Sequence, residues 1–277
     1  MRNGLLVLVL LAAAWMGGCG GHYTLTVGDH VGPAAQYAPV VVRLQRNDFF
    51  VLDLPVKDAA MRLRVGEELE RGAYTDKIGY AATTVPTPAE PGRYPLHADH
   101  MDKEGVEVAA QASMYVWDPQ RPVVAVDLNA LPPNWVDEAH AARAGLKRIA
   151  QQANIIYLTR ERIREQVDLH DALTAGEYPD GPILLWQREQ WHIVRDDKYK
   201  FPRVIVEDRL VSQLPELRQM FPGLTMGIAS SPMAAEGLYD AGLTPVVIGG
   251  AGGEQSHVIR FDSWVALAEQ GLPLTGE

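Results

Sequence analysis

Two kinds of hydrophobic pattern divide the chain. From Tyr23 to Trp117 the apolar residues come in short alternating runs: Tyr23-Thr24-Leu25-Thr26-Val27, Val40-Val41-Val42-Arg43-Leu44, Phe49 to Leu54, Met61-Arg62-Leu63-Arg64-Val65 and Gly105 to Trp117. Period-two alternation turns one face of a strand to a core and the other to water, so these segments read as half-buried antiparallel strands. Gly, Pro, Asn and Asp separate them at intervals of about 8 to 12 residues, the spacing of a β-sandwich. After Asp118-Pro119-Gln120-Arg121-Pro122 the pattern changes. Continuous apolar runs at Val123–Val126, Ile155–Leu158, Pro182–Trp186, Arg203–Val206, Leu224–Ile228 and Pro245–Ile248 read as buried strands. They alternate with helix patterns at Asp137–Ala153, Glu161–Ala175, Asp208–Met220 and Pro232–Ala241. That alternation predicts a mostly parallel sheet covered on both faces, with any ligand at the carboxyl ends of its strands.

A third pattern lies at the start. Arg2 precedes an apolar run from Leu5 to Met16, which Gly17-Gly18 and the chain's only cysteine, Cys19, close. Twelve apolar residues are too few to span a bilayer core of about 30 Å, and the charge and length match the hydrophobic region of an export signal. Small residues ahead of the cysteine resemble the lipobox of bacterial lipoproteins, with Met16 where leucine is usual. The resemblance implies a signal peptide over 1–18, acylation of Cys19 and a lipidated tether over 19–21. The partner it implies is a membrane in the cell envelope, reached through the acyl chains. Gly20 stands where an aspartate would mark inner-membrane retention, which favours the outer membrane. A mature chain without a free thiol forms no disulfide, so packed cores alone must hold it. After the tether, which spans about 10 Å, the body sits close to the membrane.

Charge narrows the partners further. Removing Arg2 leaves 24 basic against 35 acidic residues. An acidic chain without clustered Lys and Arg argues against nucleic acid and against broad adhesion to anionic lipid.

Thr75-Asp76-Lys77-Ile78-Gly79-Tyr80-Ala81 followed by Pro91-Gly92-Arg93-Tyr94-Pro95-Leu96-His97-Ala98 resembles the closing strands of bacterial immunoglobulin-like domains. The second half resembles haloacid-dehalogenase-like (HAD-like) phosphatases, most closely the lipin and actin-patch phosphatidate phosphatase branch. The resemblance rests on Val123-Val124-Ala125-Val126-Asp127-Leu128-Asn129, Tyr157-Leu158-Thr159, Gly181-Pro182-Ile183-Leu184-Leu185 and then Lys198 and Lys200. It implies Asp127 as nucleophile, Thr159 as the hydroxyl that binds the phosphoryl group and Lys198 as the cation that neutralises it. The expected fold class is therefore an all-β immunoglobulin-like sandwich over 22–118 and an α/β HAD-like domain over 119–277. The short Asp127–Asp137 segment leaves no room for a cap domain, so a site there would be open to a membrane-borne partner.

Two parts of the phosphatase machinery are missing. Where the family places a second aspartate as general acid and base, this chain has Asn129, which exchanges no proton usefully near neutral pH. Counting back from Ala241-Gly242-Leu243 puts Ser230 and Ala234 where the family has its later metal-binding acids. Another register, Glu207 to Ser212, restores the first acid alone. Magnesium would then keep Asp127, a carbonyl and water, a sparse shell for a hard cation. Loss of a general acid typically costs about 10²–10⁴-fold in rate. The expectation is a catalytically inactive domain without a cofactor that binds a phosphate-bearing ligand or an envelope protein, or has a structural role. The competing expectation is a magnesium-dependent phosphatase that uses Asp137, Glu138 or Asp208 as substitute acid. His97 and His100, near Asp99 and Asp102, read as solvated turn residues rather than metal ligands. Gly249–Gly253 reads as a loop, and Trp186, Trp191 and Tyr199 as core or rim cover.

Overall fold

The computed structural model describes residues 22–48, 52–67, 69–133, 136–160, 166–186, 191–194, 203–206, 213–249 and 257–273. The molecule is mostly β with some helices and contains a parallel sheet. The first part has nine strands: β1 (His22–Val27), β2 (His30–Pro33), β3 (Tyr37–Asp48), β4 (Leu52–Pro55), β5 (Ala60–Val65), β6 (Leu69–Tyr74), β7 (Tyr80–Pro86), β8 (Gly92–Met101) and β9 (Glu107–Trp117). In one sheet β3 pairs with β1, β4 and β7, all antiparallel. The other has the order β2-β9-β8-β5-β6, with β2 parallel to β9. Alternation is kept as the sequence predicts: Met61, Leu63 and Val65 of β5 are buried while Arg62 and Arg64 are exposed. They share a core with Val40, Val42 and Leu44 of β3 and with Leu96, Ala98 and Met114 of β8 and β9. Burying such side chains is worth about 1.5–3 kcal/mol each, and it fixes the register of both sheets. The Asp76–Gly79 turn also forms as expected. Asp76 Oδ1 accepts from the N–H groups of Ile78 and Tyr80 at 2.9 Å each, and Gly79 takes φ +83°, a conformation disfavoured with a Cβ.

The second part carries β10 (Val123–Asp127), β11 (Asn154–Thr159), β12 (Ile183–Leu185), β15 (Leu224–Ala229), β16 (Thr244–Ile248) and β17 (Ile259–Phe261) in one parallel sheet. Its order is β12-β11-β10-β15-β16-β17. Successive residues of β10 face opposite layers. Val124 and Val126 pack with α1 (Glu138–Gln152), α2 (Gln166–Ala175) and α5 (Trp264–Gln270). Val123 and Ala125 pack with α3 (Leu214–Met220) and α4 (Pro232–Asp240). At Gly227 of β15 an added Cβ would lie 2.6 Å from a methyl of Leu238 of α4, so the Leu238 side chain fills the space that the glycine leaves.

Several expectations need correcting. Arg203–Val206 is not in the parallel sheet: as β14 it pairs antiparallel with β13 (Trp191–Val194) in a separate two-stranded sheet. Strands β2, β6 and β13 and helix α5 are additional. The Phe49–Leu54 strand is described only from Leu52, the Glu161–Ala175 helix only from Gln166, and of the Asp208–Met220 helix only Leu214–Met220 is seen. His97 and His100 are not turn residues: both lie in β8, and His100 is buried with Nδ1 2.8 Å from the Ala60 carbonyl. The Asp118–Pro122 segment is tied down, since Asn154 N–H donates to the Pro122 carbonyl at 2.8 Å and Arg121 donates to the Ala150 carbonyl.

Candidate functional site

Strand order turns back on itself between β10 and β15, because β11 and β12 follow β10 on one side while β15, β16 and β17 lie on the other. In open α/β sheets such a switch point leaves a crevice outside the carboxyl ends of the two strands. Asp127 ends β10, and Ser230 directly follows β15. Thr159 ends β11, the neighbour on the other side of β10. Three positions picked out in the sequence thus stand at adjacent strand ends.

Asp127 is wholly buried, with 0% of its surface exposed. Its Oδ1 accepts from the Asn129 N–H at 3.1 Å, capping a 3-10 turn over Leu128–Ala130. Its Oδ2 accepts from the Ser230 hydroxyl. A carboxylate shut off from water is costly unless its lone pairs are filled, and here a backbone donor and a side-chain donor fill one on each oxygen. Thr159 is 3% exposed, and its carbonyl accepts from the Trp186 N–H at 2.9 Å. Asn129 is exposed. Ala234 is buried in the first turn of α4, where its N–H donates to the Ser231 hydroxyl that caps the helix. Lys198, Lys200, Asp208 and Cys19 lie outside the described residues. Asp137 and Glu138 are exposed at the start of α1.

Among the described residues the donor set at these strand ends is too sparse for magnesium. Asp127 is the one carboxylate placed at these strand ends among the described residues, and both its oxygens are hydrogen-bonded. No group of three or more His, Cys, Asp or Glu side chains that could hold a metal ion occurs among the described residues. A hard divalent cation wants several charged or carbonyl oxygens. A cavity of about 430 Å³ does exist, but Tyr239, Thr244, His257 and Ile259 line it at the amino ends of β16 and β17, away from Asp127.

A second polar centre has no local sequence signal. Asp29, 7% exposed after β1, accepts from the Ser113 N–H of β9 at 3.1 Å and from the Ile183 N–H of β12 at 3.0 Å. Its Oδ2 also lies 2.6 Å from His170 Nε2 of α2. These partners are 84, 154 and 141 residues away. Nearby, Asp180 accepts from the Tyr115 hydroxyl at 2.9 Å and pairs with Arg93 at 3.2 Å. Burial, reinforced by the charges of Asp29 and Asp180, raises the Tyr115 pKa; burial does the same to Tyr157, whose hydroxyl donates to the Pro179 carbonyl.

No family model matches the chain, and no curated protein does either. Among solved structures it is similar to a carbohydrate acetylesterase from Xanthomonas citri, at 14% identity and TM-score 0.34, over 90% of this chain and 65% of that one. It is also similar to a family 39 glycoside hydrolase from Bacteroides cellulosilyticus, at 13% identity and TM-score 0.27, over 81% of this chain and 50% of that one. Tandem immunoglobulin repeats of Dlar match at 9% identity and TM-score 0.26, over 40% of this chain and 61% of that one. The chain thus spans less than two thirds of each of these structures.

Proposed function

We propose that this is an exported, lipid-anchored envelope protein. In this reading an immunoglobulin-like sandwich, 22–118, carries a HAD-like α/β domain, 119–277, that does not turn over phosphoesters. That domain acts by binding an envelope protein or a phosphate-bearing ligand, or as envelope structure, and needs no cofactor. The apolar Leu5–Met16 run closed by Gly17-Gly18-Cys19 supports the anchor.

One observation carries the non-catalytic reading. Asp127 is fully buried with Ser230 and the Asn129 N–H on its two oxygens, while an exposed asparagine holds the acid–base position. A nucleophilic carboxylate needs an oxygen free to approach phosphorus, and the step that follows needs a proton donor. Burial and a hydrogen bond on each Asp127 oxygen stand against the first requirement, and Asn129 cannot supply the second.

The test incubates the purified lipoprotein with p-nitrophenyl phosphate and with dispersed phosphatidate, with and without magnesium. Phosphate release at the rate of the no-enzyme control is expected. Magnesium-dependent release that disappears in Asp127→Ala would overturn the non-catalytic reading. Labelling with an alkyne palmitate analogue tests the anchor: label in the wild type and none in Cys19→Ala is expected.

A further inference from the structure

We infer that the end of the sandwich formed by the start of β1 and the β8–β9 turn faces the membrane, seating Met101 and Val106 in the uncharged interface of the lipid layer. The inference rests on the Cys19 anchor proposed above. His22, the first residue of β1, pairs with Asn47 of β3, and the strands are antiparallel. His22 therefore opens β1 at the end of the sheet where β3 reaches Asp48. Gly20 and Gly21 are the only residues between His22 and Cys19, so the lipid is held within about 10 Å of this end.

The β8–β9 turn stands at the same end. Tyr23, next to His22, sets its ring edge-on to His100 at 5.7 Å between centroids, and its hydroxyl is hydrogen-bonded to Asp102. Asp102 builds the turn. Its Oδ1 accepts from the Val106 N–H at 2.8 Å and from the Glu104 N–H at 2.9 Å, while Gly105 takes φ +82°. The turn so held presents Met101, 61% exposed, and Val106, 49% exposed. On β4, Leu54 is 41% exposed and lies in one row with Arg46 and Tyr23.

Charge decides the kind of surface they fit. Arg46 and Lys103 stand here with Asp102, Glu104 and Glu107, so among the described residues this end has no cationic excess to draw anionic headgroups. Exposed apolar side chains on a braced turn, tied beside an acyl anchor, suit the boundary between headgroups and acyl chains.

With Cys19 acylated, a cysteine introduced elsewhere is the sole free thiol. Met101→Cys and Val106→Cys are labelled with nitrobenzoxadiazole on the full lipidated protein and bound to phosphatidylcholine vesicles. Glu90→Cys, exposed near the opposite end of β8, is the control. Blue-shifted emission quenched by chain-attached nitroxide is expected at 101 and 106, at low and high salt alike, with water-like emission at 90. Water-like emission at 101 and 106 in protein that floats with the vesicles would overturn the inference and leave the anchor standing. A shift that high salt removes would overturn the uncharged interface as the partner. Protein that fails to float at all would refute the anchor itself, and this surface with it.

Discussion

Ser230 and Asp127 show at the scale of single residues how a fully buried carboxylate at a strand end is satisfied. Among the described residues each Asp127 oxygen accepts one hydrogen bond, from the Asn129 N–H and from the Ser230 side chain. Ser230→Ala is expected to cost about 1–3 kcal/mol, because a buried acceptor loses its partner. The urea midpoint measures this, and an unchanged midpoint would mean that water takes the vacated place. Asp127 and Thr159 are legible in the sequence through the motifs that carry the phosphatase resemblance, each just after an uninterrupted apolar run. Neighbouring parallel strands end side by side, so those residues come to adjacent strand ends whatever the intervening chain does. Ser230 is found only by counting back from Ala241-Gly242-Leu243, and its hydrogen bond to Asp127 has no sequence signal.

Among elements, what the pattern predicts well is what its period determines. Strand β5 alternates strictly, and α1 buries Ala139, Ala142, Leu146 and Ile149 at helical spacing. Strands β13 and β14 are short apolar runs, and such a run says strand without naming its neighbour; they pair with each other rather than joining the parallel sheet. Edge strand β6 leaves most of its residues exposed and has no alternation to read, while α5 buries only Trp264 and Leu267 in seven residues. The β8–β9 turn makes a pH prediction at this scale. The N–H groups of Val106 and Glu104 hold the Asp102 carboxyl below the usual aspartate range, the Val106 bond contributing most. A lowered folded pKa means that the turn's support is complete above the unfolded value and fades as pH falls through the folded one. An NMR titration should therefore place the Asp102 midpoint below that of an ordinary aspartate, with the amide shifts of Glu104 and Val106 moving together with it. Amides that titrate with an ordinary midpoint would disprove the brace.

Over the whole molecule, the two kinds of layer meet at the end of the sandwich opposite His22. Val31, Tyr115 and Trp117 enter the same core cluster as Leu217, Phe221 and Leu238, with Trp117 edge-on to Phe221 at 5.7 Å. From Glu107 to Trp117, β9 spans about 33 Å at roughly 3.3 Å per residue. If the anchor proposed above lies at its near end, the sandwich would hold the α/β layers and Asp127 away from lipid, and the closeness implied by a short tether would apply to the sandwich alone. Relative motion is the default for two units joined by a modest interface, but this junction has both an apolar core and the Asp29 hub. Asp29 takes backbone donors from β9 and β12, one on each side of the junction. The wild type should accordingly unfold in one calorimetric transition, with van't Hoff and calorimetric enthalpies equal. Asp29→Ala takes away the acceptor of the buried Ser113 and Ile183 N–H bonds and the partner of His170, a loss of about 1–3 kcal/mol for each buried donor affected. Because that loss falls on the junction rather than on either core, the variant's single transition should split in two. A single transition shifted down intact would place the hub's contribution inside one unit and refute its role as the coupling between them.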